Sequence, residues 1–399
     1  MNKITRPLEN FARIEYGDKR INKRVEQVVE DLTNNSQKML FSATGSRSNA
    51  KAAYRLLANK KFTQEKLAKG NAEKVVESMK GEAVVLLVQD TTDANFNTHK
   101  KTKGLGYSSE KVLGIKIHTC LAINEKGIPF GIMAQNCFTR EKSKNEMSSS
   151  EKSKRPIEEK ESNRWLETMR ETVAQIPEDT TAITICDREC DFYEFYNEAV
   201  NIGENFIVRI VGNRVTEDGE KVRQILEKAT VAGTVSVNIP RDSRRNIPTR
   251  VTEMDIAFAL VDLAKPAIRK EEHINDSVVL TVVRIKEKNP PEGVESIEWF
   301  LASNLPITNA QEAFKVVEYY VQRWKIERFH HVLKSGCNIE KIQQRSYDRI
   351  VALLLIYSVI ASYILAMTLT AQESTDATCD TFFLKKNGNY CIDLPRNPL

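Results

Sequence analysis

Apolar and polar positions along this chain follow two different periods. Residues 1–75 carry the helical one. GDKRINKRVEQVVEDL sets Val25, Val28 and Val29 on one side of a predicted helix and places Arg20, Lys23 and Arg24 in its polar positions. SRSNAKAAYRLLAN predicts a second helix, with Lys51 and Arg55 one turn apart. From residue 83 the runs shorten. AVVLLV (83–88) predicts a buried strand that ends at Gln89-Asp90, and GIKIHTCLAI and GIPFGIMAQNCF, separated by Asn-Glu-Lys-Gly, predict a hairpin. TAITICD (181–187) predicts another strand ending in an aspartate, followed by the helical FYEFYNEAV and the strand FIVRI. Residues from about 214 to 298 alternate apolar and polar in VSVNIP, MDIAFALV and VVLTVVRI, which reads as a β-rich insertion.

The segment VVEYYVQRWKIERFHHVLKSG (316–336) has no Pro and no Gly before Gly336, so it predicts one helix. At roughly 100° per residue, Tyr320, Arg323, Glu327 and Lys334 fall within an arc of roughly 60°, and Ile326, Phe329 and Leu333 lie opposite. One face can bury while the other presents an acid, two cations and a phenol, a set suited to a metal ion and a polyanion. His330 and His331, next to that face, read as surface or phosphate-adjacent residues. The apolar run IVALLLIYSVIASYILAMTL (350–369) is long enough to cross a bilayer. It stands alone and contains Ser358 and Ser362, so it reads as a helix buried against a sheet, and no membrane partner is expected.

Composition sharpens the partner. The chain has 399 residues, 41% hydrophobic and 28% charged, with a net charge of +5. Residues 1–80 hold 17 Lys and Arg against 9 Asp and Glu, so the positive charge is concentrated at the N-terminal end. A basic helical module on a near-neutral body suggests phosphate binding. The seven cysteines (120, 137, 186, 190, 337, 379 and 391) form no CxxC pair, which predicts reduced thiols rather than disulfides or zinc. The N-terminal stretch has no apolar core of a signal peptide.

Asp90 and Asp187 follow predicted buried strands, where ligand sites gather in open α/β sheets. With Glu327 they offer three carboxylates from two strands and a helix, enough for two divalent ions spaced for phosphoryl transfer. Magnesium or manganese suits such oxygen ligands. Each acid alone has a plainer reading. Either aspartate can cap a turn or helix, and Glu327 can pair with Arg323 one turn away.

Together these residues match a family pattern. Gln89-Asp90-Thr91-Thr92, Cys186-Asp187-Arg188-Glu189-Cys190-Asp191 and Tyr320-x2-Arg323-x3-Glu327-x6-Lys334 resemble the DDE transposases of the insertion-sequence-four family, the group that includes the transposon-five transposase. Glu159-Lys160-Glu161-Ser162 before Trp165, and Ala53-Tyr54-Arg55, are smaller matches. The resemblance runs from about Gly17 to about Leu369. It implies an RNase H-like α/β catalytic core (76–370) with a β-rich insertion at about 214–298, after a small helical DNA-end-binding domain (1–75). It implies that Asp90, Asp187 and Glu327 are the catalytic, metal-binding triad for Mg2+ or Mn2+, two ions in all. Tyr320, Arg323 and Lys334 then grip phosphates at the element's end, Trp299 stacks a flipped base, and Arg209 contacts DNA, with Arg20, Arg24, Lys51 and Arg55 as further DNA contacts. The expected partners are double-stranded DNA, both terminal repeats and target, and a second copy of the chain in a homodimer. The expected setting is the bacterial cytoplasm, on the nucleoid.

The implied activity is cut-and-paste transposition through 3′ nicking, hairpin formation and strand transfer. The chain departs from the pattern after Thr370. Residues 371–399 form a short tail in which KKNGNYCIDLPRNPL has no helical periodicity, which reads as a truncated or frameshifted end. Two alternatives stand beside the transposase reading: a truncated derivative that binds element ends without transposing, and a non-specific metal-dependent nuclease.

Overall fold

The computed structural model describes residues 5–141, 148–239, 248–271 and 273–373. The expectations about the tail lie outside the described residues, apart from the end of the last helix. Ten strands build one sheet: β1 (Val84–Asn95), β2 (Tyr107–Ser109), β3 (Val112–Ile123), β4 (Pro129–Phe138), β5 (Thr181–Cys186), β6 (Asn205–Arg209), β7 (Gly233–Ile239), β8 (Arg250–Ala264), β9 (Ser277–Glu287) and β10 (Glu298–Ser303). β1, β5 and β6 run parallel at its centre. β3 pairs antiparallel with β1 on one side and β4 on the other. This is an RNase H-like core: a three-stranded meander carried on by two parallel strands. β7, β8 and β9 fall within the span of the expected insertion. They are antiparallel and join the core because β9 pairs with β10, which in turn pairs with β6.

The two faces of β1 explain where its polar residues go. Val85 and Leu87 face one core, whereas Leu86 and Val88 face the other together with Ile183 and Ile185 of β5. Period-2 alternation therefore puts Asp90 and Asp187 on the same face as Leu86 and Ile185. That face is covered by the helices Ala310–Val321, Trp324–His331 and Tyr347–Glu373, whose apolar residues belong to the same core. The last of these is the membrane-length run. Its most apolar stretch is 94% buried inside the protein, packed on β4 and on the helix Gln64–Met79, so it is a core helix.

Two expectations need correction. β1 does not end at Asp90, because antiparallel pairing with β3 carries it on to Asn95 opposite Gly114. Nor is 316–336 one helix. Near Gln322 and Arg323 the amides of Arg323, Lys325 and Ile326 bond three residues back instead of four, and a π-helical turn occupies Val332–Gly336. No Pro or Gly marks the first place, and the second ends on Gly336. The tightened junction lets Tyr320 bury from the first helix and Ile326 and Phe329 from the second in one core, so tertiary packing overrides propensity.

The N-terminal helices Lys19–Asn34 and Arg47–Leu56 are capped by Asp18 and Ser46, whose side chains accept backbone N–H groups of the first turn. Ile21, Val25, Val28, Val29 and Leu32 form the apolar stripe of the first, and this stripe is continuous with the core that lines the sheet. The expected domain boundary at residue 75 falls inside the helix Gln64–Met79, which packs on β4.

Candidate active site

The parallel register of β1 and β5 pairs Val88 with Ile185. Two residues on, Asp90 and Asp187 stand side by side where β5 stops and β1 continues. One oxygen of Asp187 accepts the Glu189 N–H at 2.8 Å, so the capping role and a site position coexist in one side chain. Asp90 Oδ1 accepts its neighbour's N–H, from Thr91, at 2.8 Å.

Glu327 reaches the pair through Arg323. Arg323 Nη2 donates to Glu327 Oε1 at 2.5 Å, and Nη1 lies 4.0 Å from Asp90 Oδ2. Burial pushes the Asp90 carboxyl up to about 7. The charge on Asp187 adds to this, Arg323 and the Thr91 N–H oppose it, and Glu327 raises it further. His330 closes the floor. Contrary to expectation it is buried, with Nδ1 3.7 Å from Asp90 Oδ2 and Nε2 bonded to none of the described residues. Burial, with the charges of Lys334 and Arg323, presses it down to about 3, so it stands neutral. His331 is exposed, as expected.

A ladder of cations and rings runs away from the acids. Arg209 lies over the Trp299 ring at 5.7 Å, Trp299 meets Tyr320 at 5.7 Å and 65°, and Arg323 lies over Tyr320 at 5.9 Å. Tyr320 is buried rather than presented to solvent, and burial keeps its phenol protonated. Trp299 is half-buried on β10 and Lys334 is half-buried on the π-helical turn. The structure thus brings Asp90, Asp187, Glu327, Arg323, Tyr320, Trp299 and Arg209 into one neighbourhood. Arg20, Lys51 and Arg55 are exposed on the N-terminal helices, Arg24 is half-buried there, and Arg20 is held by Asp18 through two bonds.

A second layer escaped the sequence reading. Arg164, 9% exposed, donates from Nε to Thr91 Oγ1 (3.1 Å), from Nη1 to the Glu161 carbonyl (2.7 Å) and from Nη2 to Glu189 Oε2 (2.7 Å). Thr91 Oγ1 also meets His118 Nδ1 at 2.8 Å, and His118 Nε2 meets Gln89 Oε1 at 3.1 Å. The only hint in the sequence was the position of Arg164 beside the Glu159–Ser162 match.

Among the described residues no group of three His, Cys, Asp or Glu is gathered closely enough to hold a metal ion. Arg323 has taken Glu327 instead. The donor chemistry nevertheless fits a hard divalent cation. Three carboxylates with Asp90 among them buried, and Asp187 and Glu327 both raising its pKa, offer the hard oxygen donors that such a cation takes.

Residues 8–62 match a family model described as transposase DNA-binding, and residues 160–365 match one described as transposase DDE domain. The second span contains Asp187, Glu327 and the whole ladder, and begins after Asp90, whose place beside Asp187 comes from strand register. Among solved structures, the chain is similar to a piggyBac transposase synaptic complex with hairpin DNA, at 9% identity and a TM-score of 0.45, over 94% of this chain and 76% of that one. Enzymes with this DDE domain generally depend on divalent metal. Residues 160–365 make up just over half of the 399, and the chain therefore belongs to the DDE-domain transposases, with a transposase DNA-binding module ahead of the catalytic domain.

Proposed function

We propose that this protein is a cut-and-paste transposase of the insertion-sequence-four group, which nicks the 3′ strand at its element's ends, closes hairpins and transfers the freed ends to target DNA. The reading rests on one observation above the rest. Asp90 on β1 and Asp187 just past the end of the parallel β5 each lie two residues beyond the Val88–Ile185 pair, and Arg323 links Glu327 to Asp90. The spacing Tyr320-x2-Arg323-x3-Glu327-x6-Lys334 supports the subgroup.

Asp90, Asp187 and Glu327 are the residues that would hold magnesium or manganese, two ions in all, which when bound supply charge stabilisation to the attacking and leaving oxygens of phosphoryl transfer. Asp90 gives up the proton that burial lets it keep. Arg323 exchanges Glu327 for a DNA phosphate, which its planar fork can hold by two bonds. Lys334 adds a point charge, and the protonated Tyr320 hydroxyl can donate to a phosphate oxygen. Nicking, hairpin closure and strand transfer are all in-line displacements at phosphorus, so one grip on the DNA end serves each in turn. Hairpin closure bends the strand sharply. A base turned out of the stack can take the place of Arg209 over the Trp299 ring, with Arg209 moving to the DNA backbone. Cutting two ends of one element calls for two copies of the chain, hence a homodimer on DNA. The N-terminal helices, with Arg20, Arg24, Lys51 and Arg55, recognise the terminal repeats.

The test is incubation with the element's terminal repeats and Mg2+ or Mn2+. End-specific 3′ nicks and hairpins, lost in Asp187→Ala and Glu327→Ala, are expected. Cleavage of arbitrary DNA at the same rate, or end binding with no cleavage under any divalent cation, overturns the reading.

A further inference from the structure

We propose that Arg164 is a positioning residue that sets the spacing of Asp90 and Asp187, acting through Thr91 on one strand end and Glu189 on the other. The inference rests on the reading of those two aspartates as catalytic carboxylates and adds a device that holds them.

Three facts carry it. First, Arg164 bonds to both carriers at once. Thr91 directly follows Asp90, and Glu189 lies two residues beyond Asp187, its own N–H bonded to the Asp187 carboxylate. One planar guanidinium therefore spans the β1 and β5 strands at the level of the acids. Second, Arg164 is itself fixed. Its Nη1 is satisfied by the Glu161 carbonyl, and the guanidinium lies over the rings of Phe138 (5.9 Å) and Trp165 (5.5 Å). Arg164 is the second residue of the helix Asn163–Val173, and Trp165, fully buried, roots that helix. Third, the relay has a consistent direction. Arg164 Nε donates to Thr91 Oγ1, so the Thr91 hydroxyl proton is free to go to His118 Nδ1. His118 is fully buried and so neutral. Its proton then sits on Nε2 and points at Gln89 Oε1, on the residue before Asp90. Residues on both sides of Asp90 are thereby pinned.

Burying a guanidinium is costly unless its hydrogens are matched, and a plain core position would be filled more stably by an apolar side chain. A cation that ties the backbone neighbours of two acids, without touching either acid, is suited to holding them apart at a fixed distance while leaving their oxygens free. Arg164 stays out of the reaction itself.

The experiment uses the full chain, with Thr91→Val and Glu189→Gln as variants that keep size and remove one tie each, Arg164→Lys as the direct change, and Asp187→Ala as the reference. Mn2+ affinity is read by electron paramagnetic resonance, end-DNA affinity by gel shift, folding by thermal denaturation and turnover by 3′ nicking. In folded Thr91→Val and Glu189→Gln, Mn2+ affinity is expected to fall about tenfold or more, the size of effect that outer-sphere partners have on metal sites, with end-DNA affinity unchanged. Nicking should fall in parallel and recover at high Mn2+. A merely structural role would lower the melting temperature without moving Mn2+ affinity. If Asp187→Ala abolishes Mn2+ binding while either of the two variants loses less than about fivefold, the positioning role is wrong and the carboxylate site stands. If Asp187→Ala leaves Mn2+ binding intact, the carboxylate site and the positioning role fall together.

Discussion

Arg323 and Glu327 are bonded to each other, Nη2 to Oε1 at 2.5 Å, across one helical turn, with the other Arg323 amino group 4.0 Å from Asp90. The protein without DNA thus neutralises its own acids with the side chain that would grip DNA phosphate. Binding of the DNA end and binding of divalent cation are therefore expected to reinforce each other. Arg323→Gln should raise Mn2+ affinity in the absence of DNA by about tenfold, as expected for removing one partly screened charge, while weakening end binding. Mn2+ titration of the two proteins without DNA checks this. Equal affinities would show that Arg323 does not compete for the acids.

Asp90 would make the proposed metal site proton-linked. Its carboxyl holds its proton up to about 7 in the folded protein, against about 4 in an open chain, and a cation must displace that proton. Below pH 7 apparent affinity should therefore rise about tenfold per unit of pH, and then level off. Calorimetry in two buffers of different ionisation enthalpy should find close to one proton released per site at about pH 6, falling toward none by about pH 8. Release that does not change with pH would place the linked proton elsewhere.

How much of this was legible follows from where each contact comes from. Asp187 and Glu327 stood out as candidates because a strand ending in an acid and a fixed i, i+4 spacing are local patterns. Arg164 could not, because its partner Thr91 is 73 residues away and the tie exists only once β1 and β5 are side by side. His118 meets Thr91 across the β1–β3 ladder, a register that no single strand encodes. His330 was misplaced because its surface position assumed one straight helix. The junction at Gln322–Arg323 breaks that helix where no Pro or Gly announces it. The same junction turns Tyr320 inward against Trp299. The β-rich insertion was visible as alternation, but its union with the core through β9 and β10 was not.

A second acid tests the energetics of the core. Glu204 is 3% exposed and bonded to the Thr184 hydroxyl at 2.7 Å, and burial pushes its carboxyl up to about 7. The folded state thus holds a proton that the unfolded chain releases at about pH 4.5, so this group's contribution to stability falls as pH rises from about 4.5 to about 7 and stays low above that. Glu204→Gln keeps an acceptor for Thr184 and removes the penalty. It should be more stable than the parent at pH 8 by up to about 3 kcal/mol, and nearly equal to it at about pH 4. Urea unfolding at the two pH values reads the difference, and a gap that does not change with pH would contradict the assignment.

Trp299 should separate two steps of the reaction. It is half-buried, with Arg209 over its ring and Tyr320 meeting it at 65°, and it holds none of the groups around Asp90. In the proposed reaction, nicking would need the acids and the phosphate grip, whereas hairpin closure would also need a place for the displaced base. Trp299→Ala should leave 3′ nicking within about threefold of the parent and slow hairpin formation about ten- to a hundredfold, matching the loss of ~1–3 kcal/mol of base stacking. Trp299→Phe, which keeps a ring, should restore most of it. A fluorescent base analogue near the end of the transferred strand would show extrusion in the parent and the Phe variant and none in the Ala variant. If nicking and hairpin formation fall equally in Trp299→Ala, the ring serves only to prop Tyr320 beside Arg323, and the base must be accommodated elsewhere.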